Sequence, residues 1–590
     1  MARRHVKAAD IPGLLEEDVV SDFELSDSED ISSDSSGSEI STSTASPPPK
    51  RRCSSPVRIS ESSDSDLGGT VESIHWEEVA EESNIQAQLP FCYRETQGPK
   101  HIPSPPMTPI QYFYLFFTTS LLNSIVTQTN NYARTFLQSQ KNISPHSRIL
   151  KWTDVTVTEL KGFIACLLNM GIKRQPTISS YWSVSPSLNN PWFRSMFSRN
   201  RFQLILKFFH LVDNKNLAGP GQPGYDPCAK FQPLIDHANA LFRHHYVPHQ
   251  QLSVDESLVG TKIHTQLMQY LPNKHHHRWG IKLWMLCDSV SKYCVAFFVY
   301  RGAKDVENIS ERKRFGLAYT VVMKLLNMGN CLRKGHHIFM DIFFTSIPLA
   351  KELYKLQTFV TGTVRRNRKY LPAAFGNKFQ IGQKRYFRSG PILTVAYREK
   401  KSQRSPVLLL STHGQASETE YTRVRRGNRE TLKKPQIIHS YNQFMGGIDT
   451  SDMMVYSYLD ERRTVKYWKK VCFSVFSRML LNSYILYKEN MTAGSKPMSR
   501  LDFNIKIIES LGEEWLQERG TVPTAGPSDA GENKDKYLRK LPPRKLKDCC
   551  VCNKRKLGKG ERRRSRTICA KCEKGLHGEC FPEHKCAGGT

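Results

Sequence analysis

The chain has 590 residues, 24% charged and 39% hydrophobic, with a formal net charge of +30. No run of 18 or more apolar residues is present, which excludes an ordinary membrane-spanning helix, and the opening MARRHVKAAD lacks the apolar segment of a secretory signal. The charge is split. Residues 1–90 hold 19 acidic and 7 basic residues, a net of −12, so the rest carries +42, an excess that points to a polyanion, nucleic acid first.

The length alone suggests roughly three to five domains. Residues 1–90 are rich in Ser, Asp and Glu and poor in aromatics; they bury too little apolar surface to offset chain entropy and are expected to be disordered. Pro47-Pro48-Pro49-Lys50-Arg51-Arg52 within them reads either as a nuclear import signal or as an incidental basic cluster. Order is expected from near Met107. Apolar residues recur at helical spacing over Tyr112–Tyr132, Thr158–Met170 and Arg201–Leu211, so 107–248 reads as mostly helical, interrupted by the Gly/Pro-rich loop 219–227.

After Pro248 the pattern changes. Leu252-Ser253-Val254 reads as a short strand ending in Asp255-Glu256. Ile281–Cys287 and Tyr293–Tyr300 read as longer strands, Tyr319–Met328 as a helix, and His337–Met340 as a buried strand ending at Asp341. The order strand, strand, strand, helix, strand puts acids at the ends of the first and fourth strands. Segment 362–434 is basic and irregular, with short strands expected at Ile392–Tyr397 and Val407–Ser411. In QFMGGIDTSDMM, residues 443–454, Asp449 and Asp452 fall on one helical face just after Gly446-Gly447. Acids so placed either start a helix, where the dipole favours them, or hold a cation. A long helix is expected from about Val465 to Lys488, and 519–540 reads as a linker.

Seven of the 15 cysteines lie in the last 42 residues. Cys549/Cys552, Cys569/Cys572 and His577/Cys580 form close pairs, with His584 and Cys586 as a fourth and Cys550 an alternative to Cys549. Eight such ligands suffice for two tetrahedral Zn²⁺. A segment of about 40 residues has too little core to fold without a staple. A disulfide knot is the alternative, which the missing secretory signal disfavours. Basic residues between the first two pairs make DNA a candidate ligand of this module.

These residues resemble the piggyBac transposase family, from about Pro106 to Cys586. The resemblance rests on Val254-Asp255-Glu256-Ser257-Leu258, Tyr270-Leu271-Pro272-Asn273-Lys274, Gly280-Ile281-Lys282, Asp341 with Phe343-Phe344-Thr345-Ser346, Gly362-Thr363 with Asn367-Arg368, and Tyr441-Asn442 with Gly446-Gly447-Ile448-Asp449 and Asp452. It implies an α/β fold with an RNase H-like core (250–372 and 437–458) and an insertion domain (373–436). A helical dimerisation and DNA-binding domain in two parts (106–249 and 459–535) flanks the core. Before it, composition gives a disordered acidic N-terminus (1–105); after it comes the zinc module (546–586), whose ligand layout suggests cross-brace pairing.

The resemblance further implies that Asp255, Asp341 and Asp449 are a catalytic triad holding Mg²⁺ or Mn²⁺, with Asp452 a further required acid. Hard cations of this kind prefer carboxylate oxygen. Candidate DNA contacts are Lys274, Arg365, Arg368, Arg425 and Arg426. The implied reaction is cut-and-paste transposition: nicking at transposon ends, hairpin formation and opening, and joining at TTAA sites, by a nuclear homodimer on double-stranded DNA bearing terminal inverted repeats. Ile342 stands where the family has Asn, and Lys262-Ile263-His264 where it often has Gly-Arg. Both departures fit an alternative: a nuclear DNA-binding protein with reduced or no catalysis.

Overall fold

The computed structural model describes residues 74–80, 91–103, 107–140, 143–263, 265–272, 274, 277–302, 312, 314–425, 428–461, 464, 466–492, 494–521, 538–542, 545–552, 564–570, 572–577, 580 and 584. Helices dominate the first part: α1 (Pro109–Tyr114), α2 (Thr119–Ser139), α3 (Val157–Ile172), α4 (Pro191–Met196), α5 (Arg199–Phe208) and α6 (Gln232–His245). The single helix expected over Tyr112–Tyr132 is two. Thr118 has extended backbone and its hydroxyl accepts from the Leu121 amide at 3.2 Å, an N-cap that starts a new helix. Apolar periodicity runs through the break because Phe113, Phe116 and Phe117 all enter the same core.

The centre is a ten-stranded sheet. Its strands are β1 (Glu77–Val79), β2 (Gln251–Gly260), β3 (Met268–Tyr270), β4 (Trp279–Asp288), β5 (Cys294–Val299), β6 (His337–Met340), β7 (Phe359–Thr363), β8 (Lys384–Ser389), β9 (Ile392–Tyr397) and β10 (Val407–Ser411). They lie in the order β1-β8-β9-β10-β7-β6-β2-β4-β3, with β5 also paired to β4. The inner five read β5-β4-β2-β6-β7. β2, β4 and β5 pair antiparallel, while β6 and β7 join parallel to β2. Helix α7 (Leu317–Met328) connects β5 to β6 and α8 (Ile347–Lys355) connects β6 to β7, the crossovers that parallel pairing requires. β8–β10 continue this sheet beyond β7, and Glu418–Arg425 and Asn428–Pro435 form a separate hairpin.

Three sequence expectations are corrected here. Glu77–Val79 lies within the stretch expected to be disordered, yet it pairs with β8 and the Trp76 indole donates to the Tyr370 carbonyl at 2.8 Å. Phe91 also stacks on Phe359 with ring centroids 4.3 Å apart, so order begins before Met107; a few aromatic anchors outweigh the composition around them. Asp255 does not end a strand, because β2 runs on to Gly260 paired with β4, although its pairing with β6 stops at Val254 opposite Met340. The expected linker from 519 begins as helix, since Arg500–Thr521 is continuous.

The chain then forms α9 (Gln436–Phe444), α10 (Gly447–Ser457), α11 (Tyr467–Glu489) and α12 (Arg500–Thr521). α11 is buried on nearly all sides, and its Val471, Val475, Met479 and Ile485 share one core with Phe163, Phe202, Val254 and Trp284. Helix and sheet thus bury a single apolar mass, each large side chain contributing about 1.5–3 kcal/mol. Lys161 of α3 meets Glu514 of α12 at 2.6 Å, so segments more than 350 residues apart pack together. No helix among the described residues is long and apolar enough to cross a membrane.

Candidate active site and metal clusters

Register brings the first two acids together. In the parallel pair, Val254 lies opposite Met340, and the next step along each strand is Asp255 and Asp341. Adjacent strands lie roughly 4.8 Å apart, so the two carboxylates share one edge of the sheet. The Glu256 amide donates to Asp255 Oδ1 at 2.8 Å and the Phe343 amide to Asp341 Oδ1 at 2.9 Å. Thr345 locks the turn after Asp341 by donating its hydroxyl to the Asp341 carbonyl at 2.8 Å. The neighbouring strand must carry glycine: a Cβ on Gly362 would lie 2.1 Å from Thr345 Oγ1.

Helix α10 lies along the same sheet. A Cβ on Gly447 would come within 2.3 Å of Ser253 Oγ, so only glycine lets the helix start this close. From there Asp449 reaches the site: Lys274, on the loop between β3 and β4, donates to Asp449 Oδ1 at 3.0 Å. Lys274 also interacts with Asp255 and Glu256; burial disfavours its charge, but these three acids outweigh that and raise its pKa. Asp255 is pushed well above the usual carboxylate range by burial first, then by Glu256 and Asp341. Asp341 is raised by burial and Glu256. Two carboxyls that resist ionising side by side, with an ammonium drawn to one of them, make a site that favours bound positive charge.

Asp452 sits elsewhere. It is buried, and its Oδ1 accepts from Arg478 Nη2 at 2.6 Å and from Ser257 Oγ at 2.8 Å. Arg478 also donates to Ser257 Oγ at 2.7 Å. Burial alone would lower the guanidinium pKa, yet Asp452 holds it above its ordinary value. Sequence spacing placed Asp452 with Asp449; the structure gives its carboxylate to Arg478 on α11, one pleat step along β2 from Asp255.

Other groups at the site had no sequence-assigned role. Lys282 on β4 is buried, 3.8 Å from Glu256 Oε2 and 3.7 Å from the Trp284 ring centroid; burial lowers its pKa against the pull of Glu256, Asp255 and Asp341. Tyr441 on α9 is pushed up to about 12 by burial, with Asp341 and Asp255 adding to the effect. Both lie in stretches that carried the family resemblance, the one signal that pointed to them. Ile342 is 41% exposed beside Asp341 rather than packed in the core.

Of the candidate DNA contacts, Arg368 donates to the Phe343 carbonyl at 3.0 Å, bracing the turn after Asp341. Arg365 follows β7 and is half-buried. Arg425 ends a hairpin strand, and Arg426 lies outside the described residues.

In the tail, ligand atoms of Cys549, Cys552, His577 and Cys580 all lie within 4.8 Å of one another, as do those of Cys569, Cys572 and His584. The first pair joins the third and the second joins His584, an alternating arrangement. Cys550 Sγ lies 3.4 Å from His584 Nδ1, away from the group that takes Cys549. Cys586 lies outside the described residues. The acids of the sheet do not form a third such group among the described residues.

The family model described as Transposase IS4 matches residues 108–484. The human PiggyBac transposable element-derived protein 2 is 26% identical over 400 residues, 65% of this chain and 62% of that protein, so the match leaves more than a third of that relative unspanned. The human PiggyBac transposable element-derived protein 3 is 24% identical over 522 residues, 84% of this chain and 79% of that protein. A cryo-EM structure of a piggyBac transposase synaptic complex with hairpin DNA superposes with a TM-score of 0.62 at 24% identity, covering 82% of this chain and 98% of that one; this likeness speaks to the fold.

Proposed function

The chain belongs to the piggyBac-type transposase family, and from that premise we propose that it cleaves DNA at transposon ends and joins them to TTAA targets, acting in the nucleus as a dimer. The observation that carries this reading is the meeting of three acids from three distant segments. Asp255 on β2 and Asp341 just past the end of β6 follow the last registered pair, Val254 and Met340, and Lys274 bonds Asp449 and interacts with Asp255. The strand order β5-β4-β2-β6-β7, antiparallel then parallel, supports an RNase H-like core.

Asp255, Asp341 and Asp449 fit a divalent cation: they are hard oxygen donors, and two have raised pKa values that positive charge would relieve. Bound Mg²⁺ or Mn²⁺ would supply charge stabilisation at the scissile phosphate. The chain's own contribution is placement. The strand register and the Thr345 turn hold Asp255 and Asp341. Gly447 seats α10, and Arg478 grips Asp452 to fix the pitch at which Asp449 is presented. Lys274 is the group best placed to turn from Asp449 to a DNA phosphate. The Cys/His groups of the tail support two zinc ions in a module that adds DNA contacts.

A second reading keeps the fold and DNA binding without cleavage. It is favoured by Ile342, an exposed apolar side chain beside Asp341 where an amide would serve the neighbouring carboxylate, and by relatives named as transposable element-derived. Excision from a donor with matched inverted repeats tests both. Under the first reading the wild type excises, Asp341→Asn does not while still binding ends, and Ile342→Asn excises roughly 10- to 100-fold better at low Mg²⁺. Verified end binding with no excision by any variant selects the second.

A further inference from the structure

β3 is the last strand on its side of the sheet, and Tyr270 at its end is paired in register with Trp279 at the start of β4. The two ring centroids lie 4.8 Å apart, the planes tilted by 44°, and the two residues are 39% and 37% exposed. They stand at the base of the loop that carries Lys274 to Asp449; the Leu271 amide closes that loop by donating to the Arg278 carbonyl at 2.7 Å. Thr261 ties the end of β2 to the same place by donating to the Trp279 carbonyl at 3.1 Å. Lys262 follows Thr261 and Arg278 precedes Trp279 in the chain, so two basic residues adjoin the backbone that carries the rings, and Lys274 on the loop pairs with Asp449.

A cross-strand aromatic pair stabilises a hairpin modestly, and that role does not require both residues to stay more than a third exposed. Paired DNA hides the faces of its bases within the stack. Exposed rings beside a cationic track serve instead a base that has left the stack, because every base offers a π-face and its backbone offers charge. The Lys274 loop links the rings directly to the carboxylates.

We propose that Tyr270 and Trp279 form a stacking platform for an unpaired base of the strand whose phosphate lies at Asp255, Asp341 and Asp449. This rests on the DNA-processing reading above and adds a ligand to it: a frayed or terminal nucleotide rather than intact duplex. The platform would help select DNA that is open at the point of reaction.

The test compares full-length protein binding to two duplexes of equal length and sequence, one blunt and one with four unpaired nucleotides at a 3′ end. The wild type is expected to prefer the unpaired end. Tyr270→Ala and Trp279→Ala should each cut that preference roughly tenfold without changing affinity for the blunt duplex, and Trp279→Phe should keep it. Where alanine disturbs the hairpin, Trp279→Leu retains apolar bulk without a π-face and carries the same expectation. Equal binding of both duplexes by the wild type, or a preference that survives the alanine and leucine changes, overturns the platform and leaves DNA binding standing. Failure to bind either duplex overturns the DNA-processing reading, and the platform with it.

Discussion

Arg478 is 2% exposed and meets the Asp452 carboxylate at 2.6 Å. Burying an ion pair is not itself strongly stabilising, but removing one partner leaves the other charge uncompensated, at a cost of about 3–5 kcal/mol. Arg478→Met and Asp452→Asn should each destabilise by that order in denaturant unfolding. The double change Arg478→Met/Asp452→Asn should cost clearly less than the two single changes together, and additive losses would refute the coupling. If Asp452 positions α10 rather than binding a cation, the folded double variant still gains melting temperature with Mn²⁺. Asp255 and Asp341 behave oppositely. Their raised pKa values mean that the folded chain holds protons the unfolded chain has released, so each destabilises as pH climbs above the ordinary carboxylate range. In metal-free buffer at pH 7, Asp255→Asn or Asp341→Asn should raise the melting temperature while removing the stabilisation that Mn²⁺ gives the wild type. A lowered melting temperature in both variants would show that their charge repulsion has been misjudged.

Among elements, β2 does most of the positioning. It pairs with β4 on one edge and β6 on the other, presents Asp255 to the site, and gives Ser253 and Ser257 to α10. Just before β2, His249 closes a second polar cluster. Its Nδ1 lies 2.8 Å from Asp288 Oδ2, which also accepts from the Tyr246 hydroxyl at 3.1 Å; that hydroxyl reaches Glu489 at 2.8 Å. The hydrogen bond to Asp288 is the main cause that raises the His249 pKa. A raised imidazole contributes stability that is complete below its unfolded value, about 6.5, and is lost as pH rises through the folded value. Melting temperature should therefore fall more steeply above pH 6.5 in the wild type than in His249→Gln. Parallel profiles would show that the pair does not titrate in this range.

Across the whole molecule, two kinds of core hold the described chain. The main one merges helices and sheet around α11. Among the described residues of the tail, Cys549, Cys569 and Leu576 form one small buried cluster and Ile568 is buried beside Cys569 in sequence, too little to order it by apolar burial. Its folding should then come from metal. Full-length protein is expected to contain two zinc ions, and a chelator should abolish protection of 549–586 from proteolysis while the main melting transition changes little. One zinc per chain, or chelator-resistant protection, would contradict this.

Much of this protein was legible in its sequence because its signals are local. β6, β9 and β10 have the bounds that apolar runs indicate, and the spacing of Cys and His pairs announced the two Cys/His clusters. The acids themselves were visible, as were the strand and helix that bear two of them. What sequence spacing could not assign was the partner of each charge. Asp449 and Asp452 share one helical turn, yet one faces Lys274 and the other is buried on Arg478. The difference depends on how α10 is turned when Gly447 seats it on Ser253 and Arg478 of α11 takes Asp452. Likewise Glu77–Val79 is a strand because an edge of β8 was free to receive it, in a stretch whose composition argues for none. Periodicity and spacing are properties of neighbouring residues and can be read along the chain; burial of a charge and completion of a sheet edge depend on residues hundreds of positions away, and only the tertiary structure decides them.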